Sequence, residues 1–316
     1  MKRKTTRIDE ILNKVAEKQE SKEKLLKLGT KHFSSKTISR IEECCVNVQS
    51  VLTEDNETGK VVKAHRCMNR FCPVCAATSA RKKAFMLKTI LEAMKENEDY
   101  KFLFLTLTVP NVLASDLKTE LDEQYKALKR FIQLKEFKKI ALGYVRKTEI
   151  TYNNIRNDYH PHIHLLIAVD SDYFTRENYV KREKWLEIWQ NSKKDKSISQ
   201  VDIRVADESS FRELSKYEAK DKEYLHYSQE VFDVFYEALK GRKTMTYNGC
   251  FNEYKKYYEN EDLDDYIEKD NNYYTKTKFH EYEKKKYHLK KERELNEEEI
   301  EEYNNLKIME EAIIED

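Results

Sequence analysis

The sequence predicts an α+β fold built on a ferredoxin-like, split βαβ antiparallel sheet with helices packed on one side. Two observations lead there. Between residues 101 and 225, apolar strands and charged helical stretches alternate in the order β–α–β–β–α–β–α. The chain also has only five Gly and three Pro, which leaves little room for long flexible linkers between compact parts.

Arg7 to Leu28 place Ile8, Ile11, Leu12 and Val15 on one helical stripe, and Gly29 offers a stop. Residues 38–75 read as short β-like runs around the turn "EDNETGK" and carry five of the six cysteines. A basic amphipathic helix is predicted over 76–96, followed by the apolar strand "KFLFLTLTVPN" (101–111). "SDLKTELDEQYKALKRFIQLKEFKKIA" predicts one long helix with Ser115 as its N-cap. Two consecutive strands follow, "GYVRKTEITYN" and "HIHLLIAV", joined by the turn "NNIRND". A helix around "RENYVKREKWLEIWQ" sets Trp185 and Trp189 one turn apart, the spacing of a core-facing pair. The strand "QVDIRV" and a helix beginning near Ser209 complete the unit. Beyond it the sequence reads as the helix "EVFDVFYEALKG", a hairpin at "KTMTYNGCF" and charged helices.

The formal net charge is only +1, but the charge is unevenly placed. Residues 1–90 hold 20 Lys and Arg against 10 Asp and Glu; residues 291–316 hold three against 11. A basic front and an acidic end suit a protein that meets nucleic acid, though solvated helix faces would look the same. No stretch approaches the roughly 18 apolar residues of a membrane span. "MKRKTTRIDEILNK" lacks the apolar run of a secretory signal. A cytoplasmic protein away from membranes is expected, its cysteines reduced rather than paired.

"CMNRFCPVC" places Cys67, Cys72 and Cys75 at C-x4-C-x2-C, with Cys44 or Cys45 upstream as a fourth thiolate. Four thiolates suit a closed, tetrahedral Zn²⁺ that holds a small module together and does no chemistry. His65 is an alternative ligand. Lys60, Lys63, Arg66, Arg70, Arg81, Lys82 and Lys83 surround this cluster and make it a candidate DNA-contacting platform.

"YHPHIHLLIAV" (159–169) alternates His160, His162 and His164 with residues that continue into an apolar run. On a strand the three imidazoles share one face. Three readings compete: satisfied histidines at a sheet edge, the nucleotide-hydrolysing histidine-triad pattern, or a two-His metal site. Glu149 on the preceding strand lies within reach to complete a two-His, one-carboxylate set with open positions, which suits Mg²⁺ or Mn²⁺.

"NRFCPVC", "FLTLTVPN" (104–111), "HPHIHLLIAV" (160–169) and "ELSKYEAKD" (213–221), in that order, resemble the replication initiator (Rep) proteins of rolling-circle plasmids. Within these the resemblance is to the single-tyrosine group of His-hydrophobic-His (HUH) endonucleases, and it covers roughly residues 40–240. It implies an HUH-type sheet and metal-dependent nicking of one DNA strand through a covalent 5′-phosphotyrosine. The His-hydrophobic-His pair maps to His162 and His164, leaving His160 as a neighbour. The nucleophile maps to Tyr217, and Lys220 or Lys216 on the same helix would favour its phenolate. Glu213, one turn before Tyr217, maps to the base that activates water in the terminating cleavage; it also completes a capping box with Ser210. Family spacing favours Cys44 over Cys45 as the zinc ligand.

The resemblance also implies double-strand origin DNA as the partner, with a host helicase and polymerase, since no G-x-x-x-x-G-K-[ST] loop occurs here. A homo-oligomer on DNA is compatible with this role. The expected division is a basic helix (1–40), a zinc-ribbon-like, DNA-contacting module with its following helix (41–98), the HUH domain (99–228) and a mostly helical region with an acidic tail (229–316). A transposase or relaxase with the same centre, or a zinc-ribbon DNA-binding regulator without catalysis, are the competing functions.

Overall fold

The computed structural model describes residues 6–175, 178–207, 210–211, 214, 225, 227–268 and 270–305. The described residues form two compact units. Described residues within 6–85, 218–225 and 267–305 make one, and those within 86–217 and 226–266 the other. Tyr217, Glu213 and Lys220 lie outside the described residues, as does most of the helix expected from Ser209.

In the first unit, α1 (Arg7–Leu28) opens at a capping box between Thr6 and Asp9 and buries Ile8, Ile11, Leu12 and Val15. "ISRIE" (38–42), expected to be β-like, belongs instead to the helix α2 (Ser35–Glu42), because the Ser34 hydroxyl accepts from the Thr37 amide and starts it. Strands β1 (Asn47–Thr53) and β2 (Gly59–Ala64) pair antiparallel. Helix α3 (Pro73–Glu98) follows, beginning in this unit and ending in the other.

The region expected to be mostly helical supplies two more strands. They are β8 (Tyr274–Glu283) and β9 (Lys286–Glu294), and β8 pairs with β1 to give the order β2-β1-β8-β9. The loop between them is Lys284–Lys285, with φ of 49° and 67°. A two-residue loop with both φ positive is a type I′ hairpin turn, usually signalled by Asn-Gly. Two lysines there carry no such signal. Helix Glu297–Asn304, capped by Asn296, then packs Tyr303 into a small core with Val51, Tyr274 and Leu295.

The second unit carries the sheet β6-β3-β5-β4-β7, all antiparallel. Its strands are β3 (Lys101–Thr108), β4 (Gly143–Asn153), β5 (Asp158–Val169), β6 (Val201–Val205) and β7 (Met245–Gly249). The order β6-β3-β5-β4, with a helical crossover after β3 and another after β5, is the split βαβ order; β7 extends it beside β4. The expected hairpin at "KTMTYNGCF" is this single strand running into helix Cys250–Glu259. The long helix after β3 is two, α4 (Leu117–Phe131) and α5 (Lys135–Ile140). The break lets Phe131 and Phe137 both turn inward, with ring centroids 5.3 Å apart.

Helices cover both faces of this sheet, not one. Odd-numbered residues of β3 and β5 (Leu103, Leu105, Leu107; Ile163, Leu165, Ile167) pack under α4, α5 and α6 (Arg182–Lys193), where Trp185 and Trp189 are fully buried. Even-numbered residues Phe102, Phe104, Leu166 and Ala168 pack with Val145, the end of α3 and helix Cys250–Glu259. The second face is thus apolar at one end, and its other end carries the histidines. Among the described residues no helix is long and apolar enough to cross a membrane.

Candidate metal centre

β5 is held between two strands, so its alternating histidines become an ordered row. His164 is paired with Thr106 on β3 and Lys147 on β4; His162 is paired with Thr108 and Glu149. Pro161 is tolerated in this central strand because β3 ends opposite His162, so no ladder partner is lost on that side. Its carbonyl accepts instead from Gln124 of α4, at 2.9 Å.

Three side chains converge on the polar end of this face. Glu149 Oε2 lies 2.6 Å from His162 Nε2 and 3.0 Å from His164 Nε2. All three residues are buried: Glu149 and His164 are 2 % exposed. Phe104 stacks on His164 at 5.2 Å and floors the cluster. The outer ring nitrogens are held from behind. His162 Nδ1 lies 3.2 Å from the His160 carbonyl, and His164 Nδ1 lies 3.0 Å from Thr106 Oγ1.

A backbone carbonyl only accepts, so His162 Nδ1 must donate to it. A neutral His162 then turns the lone pair of Nε2 toward the carboxylate. Acceptors facing each other at that distance repel unless positive charge lies between them, as a proton or a metal ion. Burial alone would raise the Glu149 carboxyl, but the hydrogen bonds and charges of His162 and His164 outweigh it and hold the carboxyl down to about 2. Such a cluster can hold a cation. Two imidazoles and a carboxylate fit a divalent ion with open positions: cis ligands at about 2.1 Å from an ion stand roughly 3 Å apart. Imidazoles oriented from their far nitrogen are the usual support of such sites.

His160 shares the face, its ring centroid 5.3 Å from that of His162, but it stands outside the converging set. Burial first, and then the charge of His162, lower its pKa. Thr106 and the fully buried Lys147 were not found from the sequence. The available signal was parity: Lys147 sits two residues before Glu149, as Thr106 sits two residues from Thr108.

The first unit holds a second cluster, in which Cys44, Cys67, Cys72 and Cys75 are all buried with their sulfurs within 4.8 Å of one another. Individual contacts are 3.4 Å (Cys44–Cys75), 3.5 Å (Cys67–Cys75) and 3.8 Å (Cys72–Cys44). Four sulfurs at about 2.3 Å from a tetrahedral ion are about 3.8 Å apart, so the set fits Zn²⁺. Hydrogen bonds from Cys45, Cys67, Cys72 and Cys75 pull the Cys44 thiol far down against its burial. Cys45 is buried beside the set but not in it; its backbone turns away at φ 53°.

The candidate DNA-contacting residues are divided. Arg70 and Lys82 are exposed, Arg81 and Lys83 half-buried. The Arg66 guanidinium donates to Thr78 Oγ1 and so braces the cysteine loop from inside. Lys60 is buried in an ion pair with Asp270 at 2.8 Å, under the Tyr274 ring.

A family model described as "Replication protein" matches residues 58–295. The chain is 36 % identical over 218 residues to a Protein rep of Staphylococcus aureus, covering 68 % of this chain and 95 % of that one. It is 32 % identical over 228 residues to a Protein rep of Streptococcus pneumoniae, covering 69 % and 71 %. A Protein rep of Bacillus amyloliquefaciens is 32 % identical over 272 residues, covering 77 % and 78 %. No solved structure matches the chain.

Proposed function

Because the chain belongs to the plasmid replication protein (Rep) family, we propose that it starts rolling-circle replication by cutting one strand of its origin at the Glu149–His162–His164 centre. The observation that carries this reading is the convergence of three acceptors, from two adjacent strands, on one buried point. Mg²⁺ or Mn²⁺ held there would polarise a phosphoryl oxygen as a Lewis acid.

The chain's own groups supply the rest. The Tyr217 oxygen attacks the scissile phosphorus, forming a 5′-phosphotyrosine bond as the bond to the 3′ oxygen breaks. The phenol proton leaves and the 3′ oxygen gains one, so a free 3′-OH remains to prime a polymerase. A phenol has an ordinary pKa near 10, so a cation beside it, Lys220 in this reading, favours the attacking form. Glu213 takes a proton from water in the last cleavage and ends the cycle. Phe211 and Leu214, neighbours of Glu213 and Tyr217 in sequence, pack on the same sheet face as His162 and His164, which supports this assignment. The cysteine cluster, with Zn²⁺ bound, would hold the first unit together, and Arg70, Arg81, Lys82 and Lys83 would contact the origin duplex. A host helicase would open the strands ahead of the polymerase, and the work would be done in the cytoplasm.

The test is incubation with a supercoiled plasmid that the protein replicates, in Mn²⁺ or Mg²⁺. Nicked circles carrying covalent protein are expected, with Tyr217 as the modified residue in a peptide map and no adduct from Tyr217→Phe. A protein that binds the DNA but leaves every circle closed would be a zinc-ribbon regulator instead.

A further inference from the structure

The β4–β5 ladder that carries Glu149 and His162 ends in an ordered tip. Asn153 Oδ1 accepts from the amides of Ile155 and Arg156, both at 3.0 Å. The Tyr152 hydroxyl donates to Asn157 Oδ1 at 2.8 Å, and Asn157 takes the left-handed conformation at φ 52°. Arg156 is tied to Asp158 at 2.8 Å, and Asp158 accepts from Asn111 at 2.9 Å. Below the tip, Tyr152 packs on Tyr159 and Tyr227 with centroids 5.0 and 4.8 Å apart.

This scaffold holds out one apolar side chain. Ile155 is 91 % exposed, more than any other large hydrophobic residue of the described chain. A lone exposed apolar residue ordinarily means little. Here it crowns a turn where polar residues are the rule and where Asn153, Arg156 and Asn157 are each held by a hydrogen bond. A rigid, β-branched side chain has little freedom to lose on entering a base stack.

We propose that Ile155 is a wedge that holds open the junction between duplex and single-stranded DNA beside the metal centre. The inference rests on the nicking function proposed above. From Glu149 to Asn153 the strand rises about 13 Å, at about 3.3 Å per residue. With an axial rise of about 3.4 Å per nucleotide in a stacked strand, that distance puts the junction about four nucleotides from the scissile phosphate. Apolar wedges between base steps unstack DNA at a few kcal/mol per step. Without an ATP-binding loop of its own, the chain has to keep an already opened strand from closing, and a fixed wedge does that passively. Asn154 beside it carries an amide suited to hydrogen-bond an unpaired base.

The experiment compares wild type with Ile155→Ala and Ile155→Ser. The DNA probes are a single-stranded oligonucleotide spanning the cut, and the same strand closed into a stem–loop with 2-aminopurine at the last paired step. Wild type, with no chelator and no added Mn²⁺ or Mg²⁺, should raise the 2-aminopurine fluorescence, and both variants should leave it near the free-DNA level. With Mn²⁺, both variants should cut the single strand within about twofold of wild type and lose about tenfold on supercoiled plasmid, the equivalent of about 1.4 kcal/mol. Equal fluorescence from Ile155→Ala and wild type, or equal loss on both cutting substrates, would overturn the wedge. Absence of cutting by wild type on every substrate would instead overturn the nicking function, while the fluorescence without added Mn²⁺ or Mg²⁺ would still report on the wedge.

Discussion

Glu149 and His162 stand opposite each other on β4 and β5 with Oε2 and Nε2 2.6 Å apart, and His164, two residues on, reaches the same oxygen. A single carboxylate oxygen thus serves two imidazoles whose other nitrogens are engaged behind them. Replacing Glu149 by Gln removes the charge and keeps the shape. Mn²⁺ titration followed by electron paramagnetic resonance should show loss of the tight site, with circular dichroism unchanged. The loss should exceed the roughly 10–100-fold typical of outer partners.

Thr106 is one of those outer partners, through its contact with His164 Nδ1. Thr106→Val keeps the volume and removes the hydroxyl. Mn²⁺ affinity is expected to fall by about 10–100-fold, with the thermal midpoint nearly unmoved. Unchanged affinity would mean that the ring is oriented by packing on Phe104 alone.

Lys22 of α1 is buried against the cysteine cluster, its ammonium donating to the carbonyls of Glu42 (2.8 Å) and Cys44 (3.0 Å). Gln19, one turn earlier, donates to the carbonyls of Cys44 and Cys45 at 3.0 and 2.9 Å. A zinc ion with four thiolates carries net negative charge, and a buried ammonium offsets it. In Lys22→Met, chelator-driven zinc release, read with a colorimetric indicator, should be about tenfold faster. Lys22→Arg should restore part of the retention. Stripping zinc from wild type should unfold the first unit.

His280 on β8 is buried, and burial together with the charge of Lys278 lowers its pKa to about 4, against a smaller opposing pull from Asp9 and Glu292. The folded value lies below the unfolded one, near 6.5. Above pH 6.5 both states are neutral and the histidine makes no pH-dependent difference. As pH falls from about 6.5 to about 4 the unfolded chain gains a proton that the folded chain refuses, and stability drops by up to about 3 kcal/mol. Urea unfolding at pH 7 and pH 4.5 should show a larger loss in wild type than in His280→Leu. Parallel losses in the two proteins would show that other groups carry the acid sensitivity.

Trp189 is fully buried and donates Nε1–H to the Thr108 carbonyl at 2.7 Å, at the end of β3 beside His162. Trp189→Phe keeps most of the apolar contact and strands that carbonyl. A cost of about 1–3 kcal/mol is expected in denaturant unfolding. A smaller change would mean that water replaces the indole.

Local pattern carried much of this protein. The alternation through "VRKTEITYN" and "HPHIHLLIAV" is enough to define β4 and β5, and adjacent strands joined by a short turn have almost no choice but to pair. Glu149 therefore comes to His162 with little help from elsewhere. The C-x4-C-x2-C spacing likewise brings three sulfurs together across one loop and a helix start. What the sequence did not disclose depends on contacts distant in the chain. β1 takes β8 as its neighbour from more than two hundred residues away, and the Lys284–Lys285 turn that makes β8–β9 a hairpin has no compositional mark. The helical cover on the histidine face is set by where α3 and Cys250–Glu259 can bury Leu91, Met94 and Phe251. Periodicity reports which side of an element is apolar, but only the closed packing decides which other element fills that side.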